Sequence, residues 1–268
     1  MVRTGGAGLT NAGSITLTGG NTTVNGNVTN NAGQTIRISY TPATFTGSVT
    51  NNGTFKTTST TSTFAGTFTN NGIFTSDPAT QTFGHLVIGQ AGSLQGGPGD
   101  VFVINGNLTN NSLARGAFDL RSGARITLSA GLHDVTWSAA DLGATAAGFD
   151  DNFVVGIFEL ANGAAMDLHG ASSAALPGTD ASFETNALYV HEFALDGGLA
   201  QLTGVQSNGL NIYYDAGLAQ NAYLGGATYS LNGGGRLAPV MGVVPEPASA
   251  ALLGIGVLAL SRRRVRGR

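Results

Sequence analysis

Cysteine is absent from the 268-residue chain, so no disulfide, thiolate nucleophile or cysteine-ligated metal is available to it. Charge is scarce: Asp, Glu, Lys and Arg together make up 10% of residues, and Lys56 is the single lysine. Basic charge is scarcer still in the body. Of the 12 Lys and Arg residues, five lie in the last seven positions: Arg262, Arg263, Arg264, Arg266 and Arg268. The remaining seven stand against 15 acidic residues. A body this acidic cannot bind nucleic acid by neutralising phosphates, and nucleic acid is excluded as a partner. Helical periodicity is missing too. The chain has one long apolar run, residues 248–260, at its C-terminal end. Residues 1–6 show no basic–apolar–small export leader, so a leader upstream of the given sequence is expected.

What the chain has in abundance is glycine, 42 residues, with Thr, Asn, Ser and Ala around short alternating runs of Val, Ile, Leu and Phe. That pattern predicts many short strands joined by Gly and Asn turns. Within residues 1–112 an apolar–x–Gly–x–apolar–Thr–Asn–Asn unit occurs at 24–31, 45–52, 64–71 and 104–111, with a shorter echo at 9–13. The glycine after the Asn step falls at Gly13, Gly33, Gly53, Gly72 and Gly92, at intervals of 20, 20, 19 and 20.

A period near 20 predicts a solenoid with one rung per repeat. In an extended strand the two apolar residues and the Gly between them share one face. Val28, Val49, Phe68 and Leu108 are therefore expected inside. The Asn-Asn-Gly steps are expected to turn corners in left-handed backbone. Stacked rungs would align Thr10, Thr29, Thr50, Thr69 and Thr109, beside a ladder of Asn11, Asn30, Asn51, Asn70 and Asn110. Around residues 83–92 one rung departs: either His85 fills the Gly slot or the register shifts by one. The fold class expected is all-β, a parallel β-helix with a rung of about 20 residues and a short C-terminal transmembrane helix.

Beyond residue 112 the strict repeat fades, and 12 acidic residues lie between Asp119 and Asp215. Turn-plus-strand units persist at 122–128, 162–168 and 196–202. Residues 113–240 are read as less regular β-structure continuing the solenoid, with a separate β-sandwich as the alternative.

Few groups could carry chemistry. Asp150, Asp151 and Asn152, together with Glu159 and the pair His133 and Asp134, are the candidate acid or metal groupings. Adjacent aspartates in a strand point to opposite faces, whereas a glycosidase needs two carboxylates facing one bond. His85, His133, His169 and His191 lack metal-ligand spacing, and the glycine clusters at 96–99 and 233–235 lack the lysine and helix of a phosphate cradle. The expectation is no catalytic residue, no metal ligand and no cofactor.

The C-terminus has three parts: residues 241–247, a linker containing Val244, Pro245, Glu246 and Pro247; an uncharged run, 248–260; and a basic tail, 261–268. The prolines hold the linker extended. As a helix the run would be about 20 Å long, short of a ~30 Å hydrocarbon core, with arginines retained on the cytoplasmic side. This order of parts resembles the PEP-CTERM sorting signal, a tail also labelled as an "ice-binding protein C-terminal" type. The resemblance implies recognition near Val244 to Pro247 by an exosortase, a membrane cysteine protease or transpeptidase of Gram-negative bacteria. It implies a membrane-anchored precursor, held in the inner membrane by its C-terminal helix and exported to the cell surface or extracellular matrix, where biofilm and extracellular polysaccharide are further associations. The body resembles bacterial adhesin solenoids. The function expected is therefore a structural or adhesive surface protein. A β-helix enzyme acting on extracellular polysaccharide is the alternative from another class, and an ice- or surface-binding protein is the third.

Overall fold

In the computed structural model residues 2–3, 8–114, 117–150, 152–171 and 186–243 are described. They form a parallel β-solenoid of about 10 turns with a period of ~21 residues per turn in its regular part. A turn carries three short strands. In the third turn these are Ala43–Phe45 on the first face, Val49–Asn51 on the second and Thr54–Thr58 on the third. Each strand pairs in parallel with its counterparts one turn away. Val28, Val49, Phe68, Leu86 and Leu108 form one register column, and Ile36, Phe55, Phe74 and Leu94 another.

The interior follows from the alternation. Val28, Val49, Phe68 and Leu108 are all buried. Phenylalanines at equivalent positions stack turn upon turn: Phe45 on Phe64 at 5.0 Å, Phe64 on Phe83 at 5.0 Å and Phe55 on Phe74 at 5.4 Å between ring centroids. The asparagine ladder also forms, with the Nδ2 of Asn11, Asn30 and Asn51 donating to the Oδ1 of Asn30, Asn51 and Asn70 at 2.7, 2.7 and 2.8 Å. These amides lie inside rather than at the outer corner: Asn30, Asn51 and Asn70 are fully buried, and each also donates to a backbone carbonyl of the next turn. At the corner itself stand the second asparagines, where Asn71 donates to Asn52.

Two local readings of glycine need correction. The glycine between the apolar pair lies within a continuous strand in two rungs, Gly66 in Thr61–Asn70 and Gly84 in Thr80–Ile88, but sits at a break in others: Gly47 occupies a bend between Ala43–Phe45 and Val49–Asn51. After the Asn step, only Gly33 among Gly13, Gly33, Gly53, Gly72 and Gly92 has a left-handed backbone, at φ +74°. Close approach is what excludes a side chain further along: a Cβ on Gly72 would stand 2.1 Å from the carbonyl oxygen of Gly53.

The irregular rung resolves as a register shift. Phe83 pairs with Phe64, His85 with Thr67 and Leu86 with Phe68, one residue being lost between them. Gly84 sits in the glycine position, where a Cβ would lie 2.3 Å from the carbonyl oxygen of Ala65. The same rung breaks the asparagine ladder, because Ile88 stands where Asn70 and Asn110 stand in its neighbours.

From Leu120 onward the strands continue the same sheet in parallel, through Leu120–Leu128, Val155–Leu160, Ala187–Leu195, Asn211–Asp215 and Arg236–Val240. The turns lengthen, so that Val135 pairs with Leu168 and Met166 with Val205. Tyr229–Ser230 then runs antiparallel against Arg236–Val240 and closes the last turn.

Candidate functional site

The predicted acid grouping at Asp150, Asp151 and Asn152 comes apart in the structure. Asp150 is exposed after the short helical turn Ala146–Phe149, and Asp151 lies outside the described residues. Asn152 is buried, with its amide bonded to both the N–H and the carbonyl of Ala140 at 2.9 Å. It clamps the loop whose Leu142 N–H and Gly143 carbonyl bond the Tyr189 hydroxyl. Glu159 faces outward on the first face, paired with Arg125 at 2.7 Å and accepting the Thr127 hydroxyl at 2.6 Å. His133 points inward and ties the Gly106 and Ser129 carbonyls together. His85 accepts the Asn107 N–H at 3.0 Å.

The structure assembles a different cluster on the second face. Asp134 is in register with Asp167, and His169 is two residues further along that strand. Ligand atoms of the three lie within 4.8 Å of one another, the one such group among the described residues that could hold a metal ion. His169 lies 3.3 Å from Asp167, and amides of Asn107 and Asn208 donate to Asp134 and Asp167 at 3.0 and 2.6 Å. Sequence spacing did not reveal Asp167 and His169 as partners of Asp134, because one lengthened turn separates them. Asp141, Tyr189 and Tyr213, which sequence reading also passed over, pack under the loop. Tyr213 donates to Asp141 at 3.0 Å, and the two tyrosine rings stack at 4.7 Å. Burial pushes both phenols up, Tyr213 to about 12.

His191 packs on the Phe149 ring at 5.2 Å and lies 3.7 Å from Asp215. Burial lowers its pKa, with Asp215 pulling the other way. An unfolded histidine binds its proton near pH 6.5, so the folded state resists a proton that the unfolded state accepts. The stabilisation is complete above about pH 6.5 and drains away as pH falls toward the folded value. Thermal unfolding between about pH 7 and 5 should show a falling Tm whose slope flattens in His191→Gln. An unchanged slope would place the acid sensitivity elsewhere.

Threonines form in-register columns on two faces. Thr10, Thr29, Thr50 and Thr69 align on the second face, Val87 follows, and Thr109 resumes. On the first face Thr23, Thr44, Thr63 and Thr82 align before Val103 interrupts. The second-face strands Val28–Asn30, Val49–Asn51 and Leu108–Asn110 each offer a single outward threonine between two buried residues.

The body's last strand ends at Val240, and Val243 packs on the outer cluster containing Phe149, Tyr189 and Tyr213. Residues 243–265 match the PEP-CTERM protein-sorting motif. No curated protein and no solved structure matches the chain. The motif implies an exported, surface-directed protein handled by exosortase sorting. Val244, Pro245, Glu246 and Pro247, the run 248–260 and Arg262, Arg263, Arg264, Arg266 and Arg268 lie outside the described residues. Among the described residues no helix is long and apolar enough to cross a membrane.

Proposed function

We propose that the protein is a non-catalytic structural or adhesive component of the bacterial cell surface or extracellular matrix. The observation that supports this reading is the sorting motif at 243–265, which follows the last described strand of the β-solenoid, Arg236–Val240. In this reading the run 248–260 is a short transmembrane helix that holds the precursor in the inner membrane. The arginines stay in the cytoplasm because each would cost ~2.5–3.5 kcal/mol at the membrane centre. Extracellular polysaccharide is the partner of the exported body.

One observation favours the enzymatic alternative, the convergence of Asp134 and Asp167. In-register residues on neighbouring parallel strands are brought together by the ladder alone, and Asn107 and Asn208 engage both carboxylates. The ice-binding alternative lacks breadth: the second-face threonine column is one residue wide, and the first-face column ends near the Arg125–Glu159 ion pair. Purified protein should show no turnover of neutral or acidic polysaccharides, with or without calcium. Activity that disappears in Asp134→Asn or Asp167→Asn would overturn the non-catalytic reading.

A further inference from the structure

Where the third face turns back into the first, successive corners line a cavity of about 420 Å³. Its walls come from consecutive turns: Tyr40 and Pro42, then Ser59 and Thr61, then Pro78 and Thr80. The groove thus runs along the solenoid axis. None of its lining residues carries a charge; of the two acidic residues adjacent to the lining, Asp77 is exposed at the end of its strand, and Asp100 is buried and accepts the Ala79 N–H at 2.8 Å.

Tyr40 is the residue that folding does not account for. Its backbone is left-handed at φ +57°, and its side chain is 74% exposed. Ser59 holds the same place in the next turn at φ +46°, so the corner imposes this geometry. Asn or Gly would adopt it with less strain than a bulky aromatic residue. A tyrosine that accepts backbone strain and also leaves its ring in water has its reason outside the fold, and strain of this kind clusters at ligand sites.

We propose that this corner groove is a binding subsite for a neutral polysaccharide chain. The Tyr40 ring offers a flat apolar face to the C–H face of a sugar. Ser59, Thr61 and Thr80 supply hydroxyls on the following turns, and the prolines make the floor rigid. Turns succeed one another at about 4.8 Å, a step comparable to one sugar unit of an extended chain, so consecutive units meet consecutive corners. The volume is within the range of small-ligand sites, ~300–1,000 Å³. A uronic acid polymer is disfavoured, because nothing in the lining neutralises its carboxylates and Asp77 repels them.

The proposal rests on the reading that the body works among extracellular polymers, but its test is independent of the sorting signal. The probes are hexasaccharides of β-1,4-glucan, β-1,3-glucan and mannan, with oligogalacturonate as the anionic control, titrated calorimetrically into the full-length protein. At least one neutral hexasaccharide should bind, and oligogalacturonate should bind more weakly. Tyr40→Phe should keep that affinity, whereas Tyr40→Asn should lose about tenfold or more, as an aromatic anchor does, with its Tm equal to or above the parent's. Three results would each overturn the proposal: no binding by any neutral hexasaccharide at millimolar concentration, parental affinity in Tyr40→Asn, or preference for oligogalacturonate. None of them would touch the sorting reading, which is judged by the fate of the tail.

Discussion

Phe68→Ala will destabilise the solenoid by about 3–5 kcal/mol, the range for truncating a fully buried aromatic residue. Phe68 has no exposed surface and sits where columns from all three faces meet. Its ring packs edge-on against Phe55, Phe64, Phe74 and Phe83 at 5.3, 4.7, 5.3 and 5.6 Å. Contacts of this kind contribute about 0.5–1.5 kcal/mol beyond the area they bury. These neighbours belong to parallel ladders in register, so they cannot close the gap without shifting adjacent turns. Asn51→Ala is the comparison. It removes one acceptor and two donated bonds from the ladder, leaving buried partners unsatisfied at about 1–3 kcal/mol. Urea unfolding followed by circular dichroism measures both. Negligible and equal losses would mean that neither residue lies in the interior.

The regular half of the fold was legible because its repeat is both short and strict. Apolar residues and asparagines recurring every 19 to 21 positions set the in-register columns of Val28, Val49 and Phe68. Glycine was harder to read. The same residue type serves left-handed backbone at Gly33 and close backbone approach at Gly72, and composition does not separate the two demands. In the later turns the strands persist while the loops between them vary in length, which erases the period. Asp134, Asp167 and His169 therefore looked unrelated, although the ladder sets them side by side. Tyr40 was silent for another reason: its strain belongs to a corner whose geometry exists only once the turns are stacked. The tail, by contrast, was legible as an ordered set of three chemical parts, and the match at 243–265 takes in some of each.

The largest effect in the cell is expected from replacing Pro245, Glu246 and Pro247 together by alanine. Proline keeps a linker extended and denies it backbone donors, which suits a strand that must enter a protease cleft. The alanine triple variant would lose that stiffness and gain backbone donors, and alanine, the best helix former, would favour a helical linker over an extended one. Insertion depends on the apolar run and the arginines, neither of which changes. The variant should therefore reach the membrane as the parent does and accumulate there at full precursor mass. Normal release would show that the linker chemistry is not what the processing enzyme reads.

The central claim is that the body is exported and that its tail is a signal, removed or re-joined by an exosortase. Intact-mass spectrometry of the mature protein from a host with its exosortase and from the same host lacking it tests this directly. The predicted result is a protein that ends near Pro245–Pro247 in the first host and still carries Arg262 to Arg268 in the second. Retention of those arginines in both hosts would contradict the account and leave the C-terminal segment without a sorting role.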